Sequence, residues 1–234
     1  MTTRAVVLLA AAAVAGCTWL APERPRALPG DRGAELTYVA LGDSTVEGIG
    51  ATSPEAIYVH RLWERLRAVY PRARLVNLGV AGATSADVIA AQLRRAIDLR
   101  PHLVTLSIGP NDVTGRVTAE QYARNIDTIL RALVRETDAV VVVNLLPDLA
   151  VTPRFRAAAE RDAVGRQTAL FNEALARTCR AHRVEVVDLY APSRAEVPSR
   201  PELVAADGYH PSDAGHARWA ELMWTGVDAR IRRR

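Results

Sequence analysis

Lysine is absent from all 234 residues; each of the 30 basic side chains is an arginine, set against 26 acids. The resulting net charge of +4 is too small and too scattered to mark a nucleic-acid surface, and the pI near 9.5 reflects arginine content, not a basic face. Without lysine there is no glycine-rich loop ending in lysine to cradle a phosphate. With aromatics at 5% there is no arginine–aromatic stripe on which bases could stack. No nucleic-acid or nucleotide partner is expected. Cysteine is nearly as scarce, with only Cys17 and Cys179, so no disulfide framework is expected. The longest apolar run, residues 5–15, falls short of the ~20 residues that a membrane-crossing helix needs.

That run has another reading. Arg4 is the only charge in the first sixteen residues, and the run ends in Val14-Ala15-Gly16-Cys17, the pattern of an export signal. It resembles the lipobox of bacterial lipoproteins, where the chain is cut before the cysteine and a diacylglycerol is attached to its sulfur. The resemblance implies a signal peptide over 1–16, a lipidated Cys17 and an exported, membrane-anchored protein of the cell envelope. An ordinary secretory signal would instead make it secreted or periplasmic. Residues 17–35 hold Pro22, Pro25, Pro29 and Gly30 among mixed charges and read as a semi-rigid tether. Residues 36–234 are enough for one well-buried core and too few for two.

From Leu36 onward, short apolar runs alternate with longer helical patterns. Strands are expected over 37–41, 74–77, 103–108, 139–145 and 184–188, with helices over 56–70, 85–99, 119–136, 157–182 and 212–231. Such alternation means a parallel sheet with helices on both faces, an α/β/α sandwich. Helix starts carry the right chemistry: Ser53-Pro54, Thr118 with Gln121, and Ser212 ahead of an acid. In open parallel sheets ligands bind beyond the carboxyl ends of the strands. Ser44 follows the first strand, Gly82 the second, Asn111 the third, and Asp207 and His210 come after the fifth.

Ser44, His210 and Asp207 are the side chains that make a hydroxyl nucleophilic at neutral pH: an imidazole takes its proton and a carboxylate orients the imidazole. Gly82 can bring a backbone N–H close to a substrate, and Asn111 offers a neutral amide donor, as an oxyanion requires. Each short motif alone is ordinary turn composition. Four blocks in order, Gly42-Asp43-Ser44, Asn77-Leu78-Gly79-Val80-Ala81-Gly82, Gly109-Pro110-Asn111-Asp112 and Asp207-Gly208-Tyr209-His210, together resemble the SGNH hydrolase superfamily, also called GDSL esterases. Thr45 stands where the family name expects leucine. The resemblance implies about five parallel strands in flavodoxin-like order. It also implies Ser44 as nucleophile, Asp207 and His210 completing the triad, and Ser44, Gly82 and Asn111 as oxyanion hole. No cofactor and no metal are called for. Residues 145–153 with Arg154, Phe155 and Arg156 are expected to wall the pocket, Phe155 serving equally well as helix packing.

A rival reading takes Asp207, His210, Asp213 and His216 as metal ligands at regular steps. It leaves Ser44, Gly82 and Asn111 without purpose. An α/β-hydrolase elbow fails because Val46 occupies its second glycine position. The expectation is therefore an exported serine esterase of the lipase type, monomeric, cleaving carboxylic esters through an acyl-serine. Thioesters or lysophospholipids would be further substrates. An envelope polysaccharide O-deacetylase and a non-catalytic surface-binding lipoprotein are the alternatives. Asp43 and Asp112 are read as loop-holding carboxylates.

Overall fold

The computed structural model describes residues 26–231. The signal segment 1–16 and Cys17 lie outside the described residues. Five strands run β1 Leu36–Gly42, β2 Ala73–Asn77, β3 Leu103–Ser107, β4 Val140–Asn144 and β5 Glu185–Val187. All pair in parallel, in the order β2-β1-β3-β4-β5, the flavodoxin-like arrangement. The helices are α1 Ser44–Glu47, α2 Tyr58–Val69, α3 Ser85–Asp87, α4 Leu93–Asp98, α5 Pro110–Thr114, α6 Ala119–Glu136, α7 Ala158–His182, α8 Tyr190–Glu196 and α9 Asp213–Asp228.

The central strands are apolar without a break because both of their faces are covered. Alternate residues go to opposite sides. Leu41, Val104, Leu106, Val141 and Val143 meet Val88, Ile126, Leu130 and Phe171 on one face. Leu36, Tyr38, Leu103, Val140 and Val142 meet Leu62, Leu66, Met223 and Val227 on the other. Cys179 belongs to the first of these cores, and burial pushes its thiol up to about 12, so it packs as a small hydrophobe.

Three local expectations need correction. Ser53 makes no capping hydrogen bond, and α2 begins only at Tyr58, after a 3-10 turn over Pro54–Ala56. The helix expected over 85–99 is interrupted by a π turn, Val88–Gln92. Residues 26–35, expected to belong to a tether, are docked on the domain. Arg26 donates to the carbonyls of Val134 and Thr137 at 2.6 and 2.7 Å, satisfying the free end of α6. Leu28 is buried, and its N–H donates to the Arg230 carbonyl at 2.8 Å. Proline content disfavours helix and strand, but it does not prevent a short segment from docking through one arginine and one leucine.

Candidate active site

The C-terminal edge of the sheet brings the expected residues together. Ser44 is the first residue of α1, where Asp43 caps the helix by accepting from the Thr45 N–H at 3.0 Å. As the first helical residue, Ser44 has no intrahelical acceptor for its own N–H. Gly42 sits so close to β3 that a Cβ there would lie 2.0 Å from the Ser107 carbonyl oxygen, at φ +151°. Only glycine fits the approach to the serine.

The His210 Nε2 lies 2.9 Å from the Ser44 Oγ, and its Nδ1 lies 2.5 Å from the Asp207 Oδ2. The carboxylate can only accept, which places the proton on Nδ1 and turns the Nε2 lone pair toward the serine hydroxyl. The other oxygen of Asp207 accepts from the Tyr209 and His210 N–H groups at 2.9 and 3.0 Å. Burial works against the Asp207 carboxylate, but these bonds and the His210 ring outweigh it and hold its carboxyl below the usual aspartate range. The arrangement can move a proton from hydroxyl to imidazole and stabilise the charge that results.

The remaining segments are tied to α1 and to one another. Asn77 donates to the Val46 carbonyl at 2.7 Å, and Glu47 accepts from the Ala81 N–H, so the loop after β2 is held against the helix of Ser44. In that loop Gly82 has φ +79°, and a Cβ added there would meet no atom within 4 Å: its face toward the cleft is open. Asn111 donates to the Ala83 carbonyl at 2.9 Å, which fixes its Nδ2 beside Gly82 and leaves a second amide hydrogen. Asp112 accepts from the Ser85 N–H at 2.9 Å and from the Ser85 hydroxyl at 2.5 Å, joining α5 to α3. Ser44, Gly82, Asn111, Tyr209, His210 and Arg154 line one cleft of about 340 Å³.

Asp43 and Asp112 hold loops, as read from the sequence. Phe155 is buried against Tyr209 with ring centroids 6.1 Å apart; it packs, while Arg154 reaches the cleft. The four residues of the rival metal cluster do not converge. Asp213 accepts from the Thr52 N–H at 2.8 Å. His216 accepts from the Tyr58 N–H at 3.3 Å and donates to the Ile49 carbonyl at 3.2 Å. Burial pushes His216 down to about 4, so it is a neutral packing residue. Sequence reading missed Gln92. Its side chain donates to the Gly42 carbonyl at 2.8 Å and accepts from the Gly42 N–H at 2.9 Å, clamping the end of β1 just before the serine.

The sequence profile of the GDSL-like Lipase/Acylhydrolase family matches residues 40–218. The chain belongs to this family. It is, accordingly, a carboxylic ester hydrolase. A curated relative, an acetylxylan esterase of Geobacillus stearothermophilus, is 29% identical over 168 residues, covering 68% of this chain and 75% of the relative. Among solved structures, a variant of Axe2, an acetyl xylan esterase from Geobacillus stearothermophilus, matches with a TM-score of 0.68 at 24% identity, covering 86% of this chain and 99% of that one. The acetyl xylan esterase AlAXEase matches with a TM-score of 0.67 at 16% identity, covering 82% of this chain and all of the other. These two likenesses establish the shared fold. In this GDSL-family chain the family match spans all four segments that carry the site, those of Ser44, Gly82, Asn111, and Asp207 with His210.

Proposed function

We propose that this protein removes short acyl groups, acetyl foremost, from saccharide hydroxyls through an acyl-serine. Ser44 attacks the ester carbonyl while His210 takes its proton, and Asp207 holds and stabilises the imidazolium. The oxyanion is met by the N–H groups of Ser44 and Gly82 and the free amide hydrogen of Asn111. His210 returns the proton to the departing alcohol, then activates water for the second half of the cycle. The observation that carries this reading is the unbroken chain from Ser44 Oγ through the His210 ring to Asp207, 2.9 and 2.5 Å. The choice of acetyl and saccharide is supported by the acetylxylan esterase relative and by an open cleft lined with polar as well as apolar side chains. Catalytic mutants of Axe2 replace a serine, an aspartate and a histidine of that enzyme, the same three residue types.

A second reading, with longer acyl chains as in lipases, is favoured by an apolar cavity of about 90 Å³ that shares Tyr209 and His210 with the cleft. An ester series from acetyl to decanoyl on one chromogenic alcohol, run beside acetylated xylooligosaccharides, separates the two. Acetyl preference with release of acetate from the saccharide supports the first; rising kcat/KM with chain length supports the second. Ser44→Ala should abolish both activities. Export and lipidation at Cys17 belong to the same proposal and rest on the sequence of residues 1–17.

A further inference from the structure

The Ser44 cleft contains one permanent charge. None of its other lining residues carries a permanent charge, whereas Arg154 brings a guanidinium. Some arginines elsewhere are matched to acids, among them Arg218 with Glu196, Arg94 with Asp98 and Arg230 with Glu185. Arg154 pairs with no carboxylate among the described residues. The carboxylates flanking the cleft are already engaged, Asp207 by His210 and Glu47 by the Ala81 N–H.

Arg154 is nonetheless held in place. Its guanidinium carbon sits 4.9 Å from the centroid of the Tyr209 ring, and its backbone N–H donates to the Gly208 carbonyl at 2.9 Å, inside the loop that carries Asp207 and His210. Stacking on an aromatic ring uses the face of a guanidinium. Its in-plane N–H donors stay available, and their fork matches the two oxygens of a carboxylate. A fixed cation with open donors, in a cleft that must accept an ester of a hydroxyl-rich molecule, is an anion subsite.

We propose that Arg154 determines specificity by binding a carboxylate carried on the acylated sugar or its neighbour. The substrate class is then an O-acylated acidic saccharide of the uronate kind, not a neutral one. This rests on the saccharide reading above and narrows it.

The test compares wild type, Arg154→Gln and Arg154→Lys on two substrate pairs. The first pair, 4-acetoxybenzoate and 4-acetoxybenzamide, differs in charge and little in shape. The second is acetylated uronate oligosaccharide against acetylated xylooligosaccharide. The readout is the anionic-to-neutral ratio of kcat/KM, which cancels any general effect of the substitution on the His210 loop. In Arg154→Gln the ratio should fall about tenfold, through KM, as expected for the loss of one charge-assisted pair. Arg154→Lys should recover part of it, and added salt should lower the ratio in wild type and in Arg154→Lys but not in Arg154→Gln. Circular dichroism and labelling of Ser44 by a fluorophosphonate establish that each variant is folded. A ratio unchanged in folded Arg154→Gln on the synthetic pair overturns the subsite, whether or not the saccharides are turned over. An Arg154-dependent ratio on the synthetic pair with neither saccharide hydrolysed keeps the anion subsite and overturns the saccharide reading instead.

Discussion

Asn111 divides its amide between structure and chemistry. One hydrogen is committed to the Ala83 carbonyl at 2.9 Å, which orients the group; the other is left to meet charge that develops in the cleft. Asn111→Ala should therefore slow turnover by roughly a hundred- to a thousandfold, about 3–4 kcal/mol, with a smaller change in KM. The variant should still be labelled by a fluorophosphonate, only more slowly, whereas Ser44→Ala should not be labelled at all. A folded Asn111→Ala protein with wild-type turnover would remove the residue from the oxyanion hole. Asp43, one residue before the serine, makes a different prediction. Burial first, with the charge of Asp112 adding to it and the Thr45 N–H opposing, pushes its carboxyl up to about 7. The raised value means that the folded chain holds the proton more tightly than the unfolded one. That stabilisation is complete below the unfolded value near 4 and is lost as pH rises through 7. Asparagine keeps the acceptor for Thr45 and cannot ionise. Denaturant unfolding of Asp43→Asn should match wild type near pH 5 and show greater stability at pH 8, by up to about 4 kcal/mol. An equal difference at both pH values would show that Asp43 is not the titrating group.

At the scale of elements, the π turn Val88–Gln92 shows how a helix serves the strand beside it. A wider turn inserts one extra residue into the helical register, and such turns gather near functional sites. Here it turns Gln92 to the end of β1, where its amide closes both hydrogen-bonding groups of Gly42. Gln92→Leu should cost about 2–4 kcal/mol, since two buried backbone groups lose their partners, and should lower turnover along with stability. Unchanged unfolding midpoint and unchanged turnover would show the clamp to be idle. Gln92 was not legible in the sequence because nothing local marks it. Its partner is fifty positions away, and an apolar period does not reveal where a helix widens. The strands were legible for the opposite reason: β3 and β4 are covered on both faces, so their composition alone, such as Val140 through Val143, identifies them. The triad was legible because Ser44 follows the first strand while Asp207 and His210 together follow the last, and parallel strands present their carboxyl ends to one edge. The short α8 was not read from sequence, having no buried face to set a period. Ser53 has the composition of a cap, but the chain makes a 3-10 turn there and enters α2 at Tyr58 without a side-chain cap.

For the whole molecule, the docking of residues 26–35 decides which end of the domain faces any anchor. Arg26 closes the carboxyl end of α6, and its neighbours reach Arg230 just beyond α9, next to the start of β4. The chain thus arrives at the amino-terminal edge of the sheet, while Ser44, Gly82, Asn111 and His210 occupy the carboxyl edge, a strand length away. A protein lacking residues 26–35 should lose about 3–5 kcal/mol through exposure of the Leu28 site and loss of the Arg26 bonds, yet still acylate Ser44. Equal stability with and without the segment would return it to the status of a tether. If Cys17 is lipidated, as proposed, the eight residues 18–25 can span no more than about 28 Å before the docked segment begins. Under that proposal, so short a link would keep the amino-terminal edge nearer the lipid than the carboxyl edge that carries the cleft. That orientation suits a polymer approaching from outside the bilayer better than a lipid lying within it. Two or three acyl chains suffice for stable anchoring, so Cys17→Ser should move the protein from membrane to soluble fractions or stall its processing. Its kcat/KM on a soluble saccharide ester should stay at the wild-type value, and the wild-type protein in vesicles should gain no advantage on esters embedded in the same bilayer. Identical fractionation of Cys17→Ser and a wild-type chain without lipid would refute the anchor, and a large gain on embedded esters would reverse the orientation derived from Arg26 and Leu28.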